Sequence, residues 1–285
     1  MTIPGSKSKV WGWMIGDPLG FLGALVIALF VCAALLAPWL TSYAAQGLGE
    51  PNTVDKFLAP SSAHWFGTDH LGRDLLSRIL YGGRVSLSIA AIVVTLAIAI
   101  GAPLGAIAGY FGGWIDEVIM RITDVFLAFP PLLLAIFLSA VFGPGFVNMA
   151  IAIAISWWPW YARIARAETA SLRSRPYVEA AQLMGVSHFT IIRRHLTPSL
   201  IGPVAVQGTL DFGTAILTAA SLSFLGLGVS PPTADWGQLV SNGRLYFPDR
   251  WWYVVFPGLA IFIAALAFNF LGDSLRSASK KRREE

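Results

Sequence analysis

Glu179-Ala180-Ala181, followed by Gly185, falls within a polar stretch of this 285-residue chain from Arg163 to His195, with Pro198 just beyond it. Arg163, Arg166, Arg173, Arg175, Arg193 and Arg194 surround it. A carboxylate beside two small side chains, flanked by guanidinium groups, suits polar orienting contacts at close approach to a partner. It does not suit bond making. The same residues also fit a solvated connector whose arginines only enforce topology, since short loops carry positive charge for membrane insertion. Other candidates for chemistry are sparse. His64, His70, His188 and His195 show no metal-ligand spacing, and neither H-E-x-x-H nor G-x-S-x-G occurs, so no catalytic residue and no metal site is expected. Without a G-x-x-x-x-G-K-[ST] loop the chain lacks the usual backbone cradle for ATP, and any ATP hydrolysis must come from another subunit. Cys32 stands alone, which rules out an intrachain disulfide and a cysteine metal site.

The elements that hold these residues are set by composition. Hydrophobic residues make up 55% and charged residues 13%, with a mean hydropathy of +0.64, against roughly 25% charged in soluble proteins. The chain therefore belongs in a bilayer. Crossing about 30 Å of hydrocarbon takes roughly 20 helical residues, and unpaired backbone in lipid requires those runs to be helices. Charge-free runs predict spans near Leu19–Leu40 and Val85–Tyr110. The run Val125–Ala162 is too long for one helix and is cut by Gly143-Pro144-Gly145, giving spans three and four. Further spans are expected at Pro203–Val229 and Trp251–Gly272. Six spans return both termini to one side.

Orientation follows from the basic residues. Lys7, Lys9, Arg121, the six arginines of the polar stretch and the tail residues Arg276, Lys280, Lys281, Arg282 and Arg283 make fourteen of the twenty. By the positive-inside rule both termini and the polar stretch are cytoplasmic. This asymmetry accounts for the basic balance without a nucleic-acid partner. The N-terminal apolar run is longer than a secretory signal's and reads as an uncleaved anchor. Trp157-Trp158-Pro159-Trp160-Tyr161 and Trp251-Trp252-Tyr253 are expected in interfacial belts.

Local rules then place the polar residues. Pro176 suits a first helical position with Ser174 or Arg175 as cap, and Glu179 meets the helix dipole in the first turn. Gly185 suits a left-handed stop, and Ser187 can cap a second short helix toward His195. Gly67-Thr68-Asp69 reads as a turn whose Thr68 or Asp69 caps a helix through Arg78, with Arg73 and Arg78 either paired to Asp69 or Asp74 or in contact with a substrate-delivery protein. Asp211, about one third of the way into the fifth span, is either a translocation-path residue or a carboxylate bonded to a neighbouring helix. Gly101, Gly105 and Gly109 form a small-residue face for helix contact.

Glu179-Ala-Ala-Gln-Leu-Met-Gly185 with Ile191-Ile192-Arg193-Arg194-His195-Leu196-Thr197-Pro198 resembles the EAA loop of permease subunits of ATP-binding-cassette importers. Thr197 stands where that pattern has leucine. Phe66-Gly67-Thr68-Asp69-His70-Leu71-Gly72-Arg73-Asp74-Leu75-Leu76-Ser77-Arg78 looks like the segment before the second span in the dipeptide, oligopeptide and nickel branch. Ser221–Gly228 and Asp235-Trp236-Gly237 extend the likeness over nearly the whole chain.

The resemblance implies an all-α, polytopic membrane protein with six transmembrane helices and a cytoplasmic coupling-helix loop. Its expected parts are a cytoplasmic segment 1–18, a six-span domain 19–272 with an extracytoplasmic segment 41–84 and coupling loop 163–200, and a basic tail 273–285. Tyr177, Glu179, Ala180, Ala181, Met184, Gly185, Val186 and Phe189 would seat in an ATPase groove. ATP and magnesium would be bound by two ATPase subunits rather than by this chain, which itself needs no cofactor. A second homologous permease and an extracytoplasmic binding protein complete the implied set, in the cell inner membrane. Dipeptides or short oligopeptides are the expected cargo, with nickel or another small solute as the alternative. A stand-alone secondary transporter and a non-transporting scaffold are the rival classes.

Overall fold

The computed structural model describes residues 17–284, with side chains through residue 279. Lys7 and Lys9, residues 1–16 of the N-terminal segment, and the side chains of Lys280, Lys281, Arg282 and Arg283 lie outside the described residues. The long helices are α1 (Pro18–Leu35), α2 (Leu75–Phe111), α3 (Gly113–Leu127), α4 (Pro131–Phe142) and α5 (Phe146–Arg173). The polar stretch supplies α6 (Pro176–Leu183), and α7 (Thr197–Phe224), α8 (Trp236–Gly243) and α9 (Trp252–Glu284) follow. Among the described residues the sole β feature is an isolated bridge between Thr68 and Asp74.

The span boundaries differ from expectation in instructive ways. By length and composition α1, α2, the continuous run His188–Phe224 and α9 through Ser279 can each cross a membrane, and α3 with α4 makes a fifth if that bent pair is one span. The two halves of the pair meet at 85°. Pro130 and Pro131 explain the break, because each lacks an N–H and its ring clashes with a preceding carbonyl. The expected third span from Val125 is thus not one straight helix. The expected fourth span lies in α5, whose three tryptophans, Pro159 and Asn148 keep it below the apolarity of the others. The first helix stops at Leu35 rather than Leu40, α7 ends at Phe224 rather than Val229, and α9 continues as helix through the expected tail.

Two compact units divide the chain, and α2, α5 and α7 each contribute residues to both. Of the described residues, the first comprises 17–90, 143–149 and 209–284. Here α1 packs on α9, with Gly20 and Gly23 bringing its backbone against Ser274, Ala267 and Leu271. The α7 segment of this unit packs on α9 through Gly213 against Ala265, and Phe212 stacks on Phe268 with centroids 4.6 Å apart. Trp236 at the start of α8 is fully buried and donates its indole N–H to Ile79 O at 2.9 Å.

The segment before α2 is tied down by buried polar groups. Asp69 accepts backbone N–H groups from Leu71 and Arg73 and the Arg73 Nε–H at 2.7 Å. The cap of α2 is Asp74, not Thr68 or Asp69: its Oδ2 accepts from Ser77 N–H at 2.8 Å, while His64 Nδ1 lies 2.9 Å from its Oδ1. Among the described residues Arg78 pairs with no carboxylate. It is buried and donates to Gly47 O at 3.1 Å and Pro232 O at 2.9 Å. Burial holds the His70 imidazole below its ordinary pKa, with Arg73, Lys56 and Arg78 adding to the effect against Asp69. Burial likewise raises Asp235, whose carboxylate caps α8 and accepts from Gln238 N–H and the Ser223 hydroxyl.

The second unit holds residues 91–142 and 150–208. Gly101, Gly105 and Gly109 form the expected close-packing face, because a β-carbon at any of them would collide with the α5 backbone at Trp158, Ala162 or Arg166. The aromatic cluster on α5 is core rather than belt: Trp157, Trp158 and Tyr161 are buried, and only Trp160 is exposed. Trp252 and Tyr253 of the first unit are buried as well.

Candidate functional site

The polar stretch resolves into two parts. Residues 163–173 are the end of α5, and their arginines are engaged: Arg163 Nη2 reaches Asp124 Oδ1 at 2.6 Å, and Arg166 grips Asp116 of α3 with two bonds of 2.8 and 2.6 Å. The fork of a guanidinium matches a carboxylate in this way. The loop proper begins at Ser174.

There, Pro176 opens α6 after Arg175, which sits in extended backbone and offers no side-chain cap; Ser174 offers none either. Glu179 lies in the first turn and is exposed. At the other end Gly185 adopts φ +74, a left-handed conformation that L side chains rarely take. Its N–H bonds Gln182 O at 3.0 Å, and Val186 N–H bonds Ala181 O at 3.1 Å. These two bonds are the Schellman closure, and Val186 packs on the same cluster as Ala181, as that motif favours. Ser187 then caps the next turn, its hydroxyl accepting from Thr190 N–H at 3.4 Å. His188–Thr190 leads into a π-helical segment Ile191–Leu196 and directly into α7.

The loop has an inner and an outer face. Val178, Ala181, Ile191 and Leu196 are buried together with Tyr110 at the end of α2. Tyr110 also anchors the loop through its hydroxyl, which lies 2.7 Å from His188 Nδ1 and accepts from Gln182 Nε2 at 3.3 Å. Outward stand Leu183, 89% exposed, Met184, 76%, and Phe189, 71%, with Tyr177, Glu179 and Ala180 also exposed. The structure therefore brings Tyr177, Glu179, Ala180, Met184 and Phe189 onto the solvent side, with Gly185 at the bend. It turns Ala181 inward and leaves Val186 half-buried. The two alanines thus do not share one approachable face.

Three participants are absent from the sequence expectation. Leu183 is the most exposed of the loop's apolar side chains, Tyr110 holds the loop from beneath, and Gln182, itself exposed, reaches the Tyr110 hydroxyl. The spacing of Val178 and Ala181 could have pointed to an inward stripe, which leaves Leu183 outside it. Asp211 is half-buried midway along α7, which begins at Thr197 and not at Pro203, rather than one third of the way in. At 1.5 Å per residue it lies about 21 Å along the axis from Thr197. Among the described residues no group of three histidines, cysteines or acids could hold a metal ion.

The loop thus exposes an apolar patch on a helix–glycine–helix turn, in a chain with several helices able to cross a membrane. Residues 101–285 match the model for "Binding-protein-dependent transport system inner membrane component". The chain belongs to this family. It is the membrane-embedded permease subunit of an ATP-binding-cassette importer, a multi-pass inner-membrane protein, and ATP hydrolysis is carried out by separate subunits. The permease is 43% identical over 268 residues to the probable D,D-dipeptide transport system permease protein DdpC of Escherichia coli K12, covering 93% of this chain and 88% of the relative. It is 45% identical over 262 residues to the dipeptide transport system permease protein DppC of Alkalihalophilus pseudofirmus, covering 92% and 85%. The nickel transport system permease protein NikC of Escherichia coli K12 is 41% identical over 255 residues, covering 90% and 91%. In fold, the permease resembles a chain from inward-facing conformations of the MetNI methionine ABC transporter, with a TM-score of 0.55 at 18% identity over 71% of this chain and 95% of that one.

Proposed function

We propose that this permease moves dipeptides or short oligopeptides into the cell, and that residues Tyr177–Phe189 are its coupling element. The observation that carries the reading is the outward Leu183, Met184 and Phe189 set on a turn fixed by Gly185 and Tyr110. Exposed apolar side chains beside a carboxylate fit a protein groove better than water. In this reading two ATPase subunits bind ATP and magnesium, close on ATP binding and carry the loop with them. The π-helical link to α7 transmits that movement to the spans. A second homologous permease completes the pathway, and an extracytoplasmic binding protein delivers cargo to the side bearing segment 41–84.

Counting α3 with α4 as the third span and α5 as the fourth gives six spans, with both termini and the loop in the cytoplasm. Asp211, midway along α7, is assigned to the translocation path because an ionisable group at such depth normally faces a polar cavity. The dipeptide relatives support the cargo, and the nickel relative supplies the rival. The test is to reconstitute the full complex with its binding protein and measure ATP-dependent uptake of labelled dipeptides and of nickel. Peptide uptake that requires both ATP and the ATPase subunits is expected. Uptake of nickel alone would replace the cargo, and ion-gradient-driven uptake by this chain without ATPases would overturn the coupling role.

A further inference from the structure

A groove of about 410 Å³ opens on the loop side of the close approach between α2 and α7 at Gly208, where Ile98 and Val94 face the glycine. Ala102 and Ala106 of α2 and Leu200, Ile201 and Val204 of α7 wall it, and Arg193 is its sole ionisable lining residue. Arg193 is exposed and forms no ion pair among the described residues, whereas Arg163 and Arg166 of the same unit are both paired with aspartates. We propose that this groove seats one acyl chain of an anionic phospholipid of the cytoplasmic leaflet, with the lipid phosphate at Arg193.

Three observations converge on that occupant. Both walls belong to helices able to cross a membrane, so the groove lies within reach of lipid tails. Its volume suits a single fatty-acyl chain, and its apolar walls would leave the amide groups of a peptide unpaired, a costly outcome. An unpaired arginine at one end of an apolar slot between spans complements an anionic headgroup, the arrangement expected of basic sites on the cytoplasmic side. Occupancy would brace the π-helical link, since Ile192 and Arg193 line the groove from within that segment. The leaflet assignment rests on the cytoplasmic placement of the loop proposed above.

The test uses the assembled importer in nanodiscs of phosphatidylcholine with a minor fraction of phosphatidylglycerol, with retained lipid counted by native mass spectrometry. Wild type is expected to retain phosphatidylglycerol in preference to phosphatidylcholine. Arg193→Gln should lower that preference about fivefold, as expected for one basic residue at an anionic surface. Ile201→Trp, at an exposed position that fills the groove without disturbing the core, should abolish retention of either lipid. An unchanged lipid ratio and count in both variants would overturn the proposal. So would a photo-crosslinker at Ile201 that captures a permease or ATPase chain instead of lipid. Orientation is read separately, by labelling Ser174→Cys, at an exposed loop position outside the groove and the coupling element, in a Cys32→Ser background with an impermeant thiol reagent. Labelling from outside the cell would remove the leaflet assignment, while the lipid counts alone decide whether the groove is occupied.

Discussion

Glu179 and Ala181 are two positions apart in sequence yet face opposite surroundings, one in water and one in the cluster under the loop. Glu179→Lys therefore changes the outer surface without touching the packing beneath. Expected is a loss of ATPase co-purification of roughly tenfold, the scale of reversing one interfacial charge, with expression and membrane insertion intact. Equal recovery of ATPase would remove Glu179 from the interface. Gly185→Val acts differently, because φ +74 costs a β-branched residue roughly 1–2 kcal/mol or more. ATP-driven uptake should fall while the complex still inserts, and wild-type uptake would show that the bend is dispensable. The functions of Glu179, Gly185 and Ser187 as helix punctuation were legible in the sequence, since capping is decided within a few residues. For Leu183 the spacing of Val178 and Ala181 gave only a hint, because which face is buried is decided by Tyr110, which packs under the loop from more than seventy residues away.

Helix α2 and helix α5 touch along their backbones, and that contact leaves no room for side chains at Gly101, Gly105 or Gly109. Gly105→Leu should force the helices apart and lower the thermal midpoint in detergent by several degrees, the consequence of overpacking by roughly 1–3 kcal/mol. No shift would mean that α5 does not pack there. Tyr110→Phe is gentler: it removes the hydroxyl shared by His188 and Gln182 while keeping the ring in the cluster. Loss of about 1 kcal/mol should appear as faster amide exchange confined to residues 176–196, and unchanged exchange would place the loop's anchorage elsewhere. The spacing of the three glycines displayed this packing face in advance. The bend between α3 and α4 had its signal too, in Pro130-Pro131, yet the charge-free run around it read as continuous span. The start of α2 at Leu75 was hidden because its cap, Asp74, is held by His64 and Ser77 in a buried network that local spacing does not reveal.

The molecule as a whole is a permease subunit, and the proposed coupling loop and the proposed path residue Asp211 occupy different stretches of its chain. Asp211→Asn should reduce uptake several-fold while ATPase co-purification stays at the wild-type level, because Asp211 lies well along α7 from the loop. Unchanged uptake would return Asp211 to a structural role. The sequence by itself determined that the chain is a helical membrane protein, that it lacks the usual ATP phosphate loop, and that a glycine-stopped helix interrupts its apolar runs. Each of these is a property of composition or of neighbours a few residues apart. Only the tertiary structure decided that Arg78 is buried against backbone carbonyls, that Trp157 and Trp158 form core instead of belt, and that Ala181 faces inward while Leu183 faces out. Burial is set by what packs from elsewhere in the chain, and identical residue types at identical spacing leave it open.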